Sequence, residues 1–174
     1  MIGPTWYQTA LKEIGQRELP ENRGPVIRRY IAMANCGEEG EPWCAIFVNA
    51  MLESQGVMGT RSPSSQSFRH HTNFQLLRGP TLGAIAVFWR ISKQSGLGHV
   101  GFYAGEDEHR FIDTVGGNES DMVRAELLNS AGAHFGLVGY YWPKQDKHGN
   151  VFMPPAVTVL QPQVSTQIGT GKVV

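Results

Sequence analysis

Apolar residues recur at helical spacing in the first third of the chain and at strand spacing beyond it. Trp6, Tyr7, Ala10, Leu11 and Ile14 follow Pro4 at helical intervals, with Gly15 as a stop, and the spacing predicts a first helix. Ile27, Tyr30, Ile31 and Ala34 repeat the pattern behind Pro25, and residues 20–24 between the two read as a turn. A third run opens at Pro42 and continues through Trp43, Cys44, Ile46, Phe47, Val48, Ala50, Met51 and Leu52 to a stop at Gly56. It is apolar on nearly every side, so its helix is expected to be buried. Residues 56–80 turn polar and predict a linker holding at most one short helical turn near residues 65–69. After it, residues 84–89, 98–104, 110–115, 122–127 and 137–142 form short β-rich runs between glycine or charged turns. Helices followed by consecutive strands predict an α+β fold, with the N-terminal helices packed on an antiparallel sheet of about five strands.

The 174 residues suit one domain, placed at residues 1–143, with an extended tail over 144–174; from Gly149 to Gly171 the chain has no charged residue and no helical period. Lysine plus arginine and aspartate plus glutamate balance at 15 each, so no net field draws in nucleic acid, and no such partner is expected. No apolar stretch reaches the ~18 residues of a spanning helix, and the first ten residues lack the basic and apolar regions of an export signal. The expectation is synthesis in the cytoplasm without a signal peptide, and no stable membrane insertion. Cys36 and Cys44 are too few for a disulfide framework, and Cys36 is expected to be structural and reduced. No HExxH, CxxC or calcium-loop pattern occurs, so neither a metal nor a cofactor is expected.

The chemistry concentrates in three places. Cys44, two residues after Pro42, falls in the first turn of a helix, where unpaired N–H groups and the helix dipole favour a thiolate. The same features suit a buried structural cysteine. Of six histidines, His99 alone sits inside a strand-like run; His70, His71, His109, His134 and His148 fall in polar or loop segments and read as surface. If residues 105–109 make the hairpin loop, His99 lies roughly opposite Val115, and Gly101 opposite Asp113. The end of the next strand then returns towards the imidazole. Asn118, after Gly116 and Gly117, is placed to accept its second N–H, with Asp113 as the alternative; Gly-Gly-Asn is equally turn chemistry.

Four motifs in order, Pro42-Trp43-Cys44-Ala45-Ile46-Phe47-Val48-Asn49, Gly98-His99-Val100-Gly101-Phe102-Tyr103-Ala104-Gly105, Gly116-Gly117-Asn118-Glu119-Ser120 and Gly139-Tyr140-Tyr141-Trp142-Pro143, resemble the CHAP domain. CHAP domains are cysteine, histidine-dependent amidohydrolases and peptidases, papain-like and akin to the NlpC-type cell-wall peptidases. The resemblance covers about residues 6–143; one departure is Gly83-Ala84, where such domains open the sheet with Gly-Asp. It implies Cys44 as nucleophile, His99 as general base and then acid, and Asn118 as orienting residue, a place that relatives fill with Glu, Asp or Asn. Trp43 and Tyr103 are then expected to line the substrate groove.

The implied activity is hydrolysis of peptidoglycan, as an N-acetylmuramoyl-L-alanine amidase or a stem-peptide endopeptidase, by a monomer acting at the cell wall. Phage endolysin is the first expectation. The alternatives are an interbacterial effector, which would have an immunity protein as partner, a phage tail or baseplate component, and an inactive wall-binding module.

Overall fold

The computed structural model describes residues 2–154 of the chain. Helix α1 spans Thr5–Lys12, α2 Pro25–Ala34 and α3 Cys44–Ser54. Pro25 at the first position of α2 supplies a preset φ where no N–H is needed, and Asn35 ends the helix in the left-handed region at φ 53°. Helix α3 is buried from Cys44 to Glu53, as its all-round apolar sequence requires. Its two polar interior residues are fully employed. Asn49 bonds the Ala45 carbonyl, the Thr60 amide and the Ser62 carbonyl, and Glu53 takes the Gly59 amide, Arg61 and Lys147. Those bonds pin the polar linker to the helix and satisfy groups that would be costly to bury alone.

Six strands form one sheet in the order β1-β6-β2-β3-β4-β5, every neighbour antiparallel. They are β1 Phe74–Leu76, β2 Ile85–Arg90, β3 Gly98–Glu106, β4 Phe111–Gly116, β5 Arg124–Asn129 and β6 Phe135–Pro143. The fold is α+β, with the N-terminal helices packed on the sheet. Strand β1 lies within the polar linker, beyond the five expected runs, and has only three residues, paired to β6. A single turn of 3₁₀ helix, Ser67–Arg69, occupies the place where a short helical turn is expected. The sheet curls: the Leu137 amide donates to the Ser130 carbonyl at 2.9 Å and Ala131 bridges Gly136, which brings the end of β5 onto β6.

Two expectations need correction. The β3–β4 register is Phe102↔Val115 and Gly105↔Asp113, three residues away from the pairing expected of His99. Strand β3 continues to Glu106, leaving a shorter hairpin tip, and a bulge at Tyr103–Gly105 adds a residue. His99 therefore lies beyond the paired end of β4, facing the chain that follows Gly116. The tail, over its described part, is not extended. Residues 144–154 fold back through a turn on Asp146, Phe152 stands edge-on to Trp6 at 5.4 Å, and Lys147 reaches Glu53 at 2.7 Å. Residues 155–174 lie outside the described residues.

The helix–sheet interface centres on Phe47, which meets Tyr30 edge-on at 5.3 Å and Phe102 at 6.4 Å. Phe47→Ala is expected to lower the unfolding free energy by about 3–5 kcal/mol, through lost burial and a residual cavity. A urea titration measures this as a lower midpoint with unchanged slope.

Candidate active site

The start of α3, the start of β3 and the turn after β4 meet at a cleft of about 350 Å³. Its lining includes Cys44, His99, Asn118, Glu119 and Glu126, together with Arg90, Leu128 and Phe135. Cys44 is the first residue of α3, the Phe47 amide bonding the Trp43 carbonyl at 2.9 Å. The N–H groups of Cys44, Ala45 and Ile46, which precede that first bond, have no intrahelical carbonyl to accept them.

His99 and Cys44 line the same cleft, and the imidazole acts on the thiol. Burial alone would push the Cys44 thiol up; the hydrogen bond and charge of His99, with the backbone N–H groups of Val100 and Ala45, outweigh it and hold the thiol below its ordinary value. Burial pushes the Cys36 thiol up to about 11, reinforced by the Glu41 and Glu53 charges. Both cysteines are free. Iodoacetamide at pH 7 is therefore expected to modify Cys44 well before Cys36, since the thiolate is the reacting form. Peptide mapping of a labelling time course checks this, and faster labelling of Cys36 would contradict it.

His99 Nε2 lies 2.9 Å from Glu119 Oε1, which leaves Nδ1 as the ring nitrogen for the Cys44 proton. The third member of the constellation is thus Glu119, one residue beyond the expected Asn118. Asn118 lines the cleft but makes no hydrogen bond to His99; at φ 59° it is left-handed, as are Ser120 and Asp121. That tight turn, closed by the Glu119 amide on the Met122 carbonyl at 3.1 Å, directs the Glu119 side chain inward. Asp113, the other expected partner, pairs with Gly105 farther along the hairpin and has no hydrogen bond to His99.

Gly116 makes the approach possible. A Cβ there would stand 2.3 Å from Glu119 Oε1 and 3.3 Å from His99 Nε2. Gly116→Ala is accordingly expected to displace the Glu119 carboxyl and cut activity about tenfold or more, in the range of losses seen when an orienting partner is disturbed. Circular dichroism and a thermal melt separate this from unfolding, and full activity in a folded variant would count against it.

The Glu119 side chain is 2% exposed. As a carboxylate it would leave Oε2 buried without a donor. Burial, followed by the neighbouring Glu126 carboxyl, pushes Glu119 up to about 9 against smaller pulls from Thr114 and Arg124. Thr114 Oγ1 stands 3.5 Å from Oε1 and 3.4 Å from the Glu126 carbonyl.

The two aromatic residues expected to line a groove do not line this cleft. Trp43 is fully buried, stacked on Tyr30 at 5.8 Å, donating from Nε1 to Glu18 and packed against Gly117. It braces the turn that carries Glu119. Tyr103 is half-buried on β3, edge-on to Tyr140 at 5.2 Å. Among the described residues no three His, Cys, Asp or Glu side chains are grouped so as to hold a metal ion, and no helix is long and apolar enough to cross a membrane.

Comparison with models of known families, with curated proteins and with solved structures found no match to this chain.

Proposed function

We propose that the chain is a cysteine amidohydrolase of the CHAP type that acts on peptidoglycan, with Cys44 as nucleophile, His99 as proton carrier and Glu119 as the orienting residue. The observation that carries this reading is the meeting of a thiol held below its usual range, an imidazole and a buried carboxyl in one cleft. A structural cysteine has no need of that arrangement.

The steps follow from the positions. His99 Nδ1 takes the Cys44 proton, and the thiolate attacks the substrate's amide carbonyl. Negative charge on the carbonyl oxygen is met by the unpartnered Cys44 N–H at the head of α3. The imidazolium then protonates the leaving nitrogen, the C–N bond breaks, and a thioester remains on Sγ. Water, giving a proton back to His99, attacks the thioester and releases a carboxylic acid and the thiol. Glu119 holds the ring throughout.

Peptidoglycan as substrate rests on the resemblance of the four ordered motifs to CHAP domains. The test is digestion of purified, direct cross-linked peptidoglycan with the products identified by mass spectrometry. Free stem peptides identify an amidase, and cut stems or cross-links an endopeptidase. Release of nothing by folded protein, from this and from other wall chemotypes, would overturn the reading. Action as a phage endolysin belongs to the same proposal, with an injected effector as the alternative; co-purification with virions would instead favour a tail component.

A further inference from the structure

Arg90, the last residue of β2, is the one lysine or arginine among the residues that line the cleft, whose lining also includes Glu119 and Glu126. No carboxylate of the described residues lies within ion-pair distance of its guanidinium, although Arg23, Arg28, Arg29, Arg61 and Arg110 all have such partners. Its backbone is fixed: the amide donates to the Leu97 carbonyl at 2.9 Å, and its carbonyl accepts from Ser95 Oγ at 2.6 Å. The base of this exposed side chain is thus held in place while the guanidinium has no protein anion to satisfy it.

Register fixes its distance from the chemistry. Phe88 pairs with His99 and Arg90 pairs with Phe135, so Arg90 stands two residues along β2 from the position opposite the imidazole and projects to the same side. Two residues of strand span about 7 Å, the reach of one to two residues of extended peptide. The lining also includes the apolar side chains of Leu128 and Phe135, and Phe135 pairs with Arg90. A peptide bound with its scissile carbonyl at Cys44 would lay aliphatic carbon there and bring the next polar group to Arg90.

We propose that Arg90 is a specificity-determining residue that binds a free carboxylate of the substrate peptide, one to two residues from the scissile amide. The inference rests on the reading of the cleft as a peptide-hydrolysing site and adds its substrate class: peptides with an unamidated acidic group at that position. A guanidinium suits this task because its planar fork meets both carboxylate oxygens, whereas a carboxamide offers no charge and one acceptor.

Binding measured on the Cys44→Ala protein separates the inference from turnover. The probes are the disaccharide tetrapeptide released from direct cross-linked peptidoglycan and the same fragment with its carboxylates converted to carboxamides, titrated by calorimetry. The acid form is expected to bind roughly ten- to a hundredfold more tightly, the range of one charged hydrogen-bonded contact. Arg90→Gln in the same background should bring the acid form down to the level of the amide form, and Arg90→Lys should restore part of the difference. Equal affinity for the two fragments, a preference that survives Arg90→Gln in folded protein, or binding of neither fragment would overturn the proposal. A preference that depends on Arg90 in a protein whose wild type cuts nothing would instead indict the hydrolase reading and leave Arg90 as a carboxylate-binding residue.

Discussion

Cys44→Ala is expected to abolish wall hydrolysis, with kcat falling by about 10⁴-fold or more, the scale of loss when a covalent nucleophile is removed. The protein should keep its fold. Cys44 opens α3 through its backbone, and the residue, 6% exposed, lines the cleft, so loss of the sulfur enlarges the cleft. The helix head would still present its unpartnered amides, which is why binding of uncut fragments should survive the change. His99→Ala should give a similar loss because the two groups act as a unit and their effects are not additive. Turnover of soluble muropeptides by the two single variants and the double variant checks this, and a double variant much worse than either single one would contradict the shared role.

The second large effect concerns Glu119 and separates catalysis from stability. Glu119→Ala is expected to lower kcat by about 10²–10⁴-fold, the range for losing the group that orients a catalytic imidazole, with Glu119→Gln intermediate because its carbonyl still accepts from the ring. Asn118→Ala should stay within about tenfold of wild type, because Asn118 makes no bond to His99. Stability should move the other way. A carboxyl raised from 4.5 to about 9 binds a proton in the folded state that the unfolded chain releases. Its stabilising contribution is therefore complete below pH 4.5 and is lost as pH rises towards 9. Glu119→Gln removes that loss, so its melting temperature relative to wild type should climb between pH 5 and pH 9. The groups facing Glu119, namely His99, Thr114, Arg124 and Glu126, are unchanged in the comparison. A difference in melting temperature that stays flat over this range would mean that Glu119 is ionised in the folded protein at neutral pH.

Much of this architecture is legible in the chain, and the failures are local. The helices and five of the strands follow from residue spacing, because their burial is one-sided or, in α3, complete. Strand β1 is not legible, since three residues in a polar segment carry no alternation and exist only by pairing with β6. Cys44 is placed by Pro42 and the apolar run behind it, and His99 by its position in a strand-like run. The residue bonded to His99 lies one position beyond Asn118, because spacing cannot count through a turn whose residues take positive φ at 118, 120 and 121. The adjacent Glu119 was the available signal: an acid close behind Gly-Gly in the segment that resembles the place where CHAP domains carry Glu, Asp or Asn. Trp43 illustrates the opposite error. A tryptophan next to a nucleophile suggests a groove, yet this one is sealed behind Tyr30 and Gly117 and acts on the site by bracing it.

The covalent step is the point on which the account stands or falls. Wild-type protein mixed with saturating muropeptide, quenched in acid within the first turnovers and analysed by peptide mass mapping, should show an acyl fragment on the Cys44 peptide that hydroxylamine removes. The His99→Ala protein should show none. An acyl mass on any other residue, or turnover that Cys44→Ala sustains at the wild-type rate, would contradict the assignment of Cys44 as nucleophile.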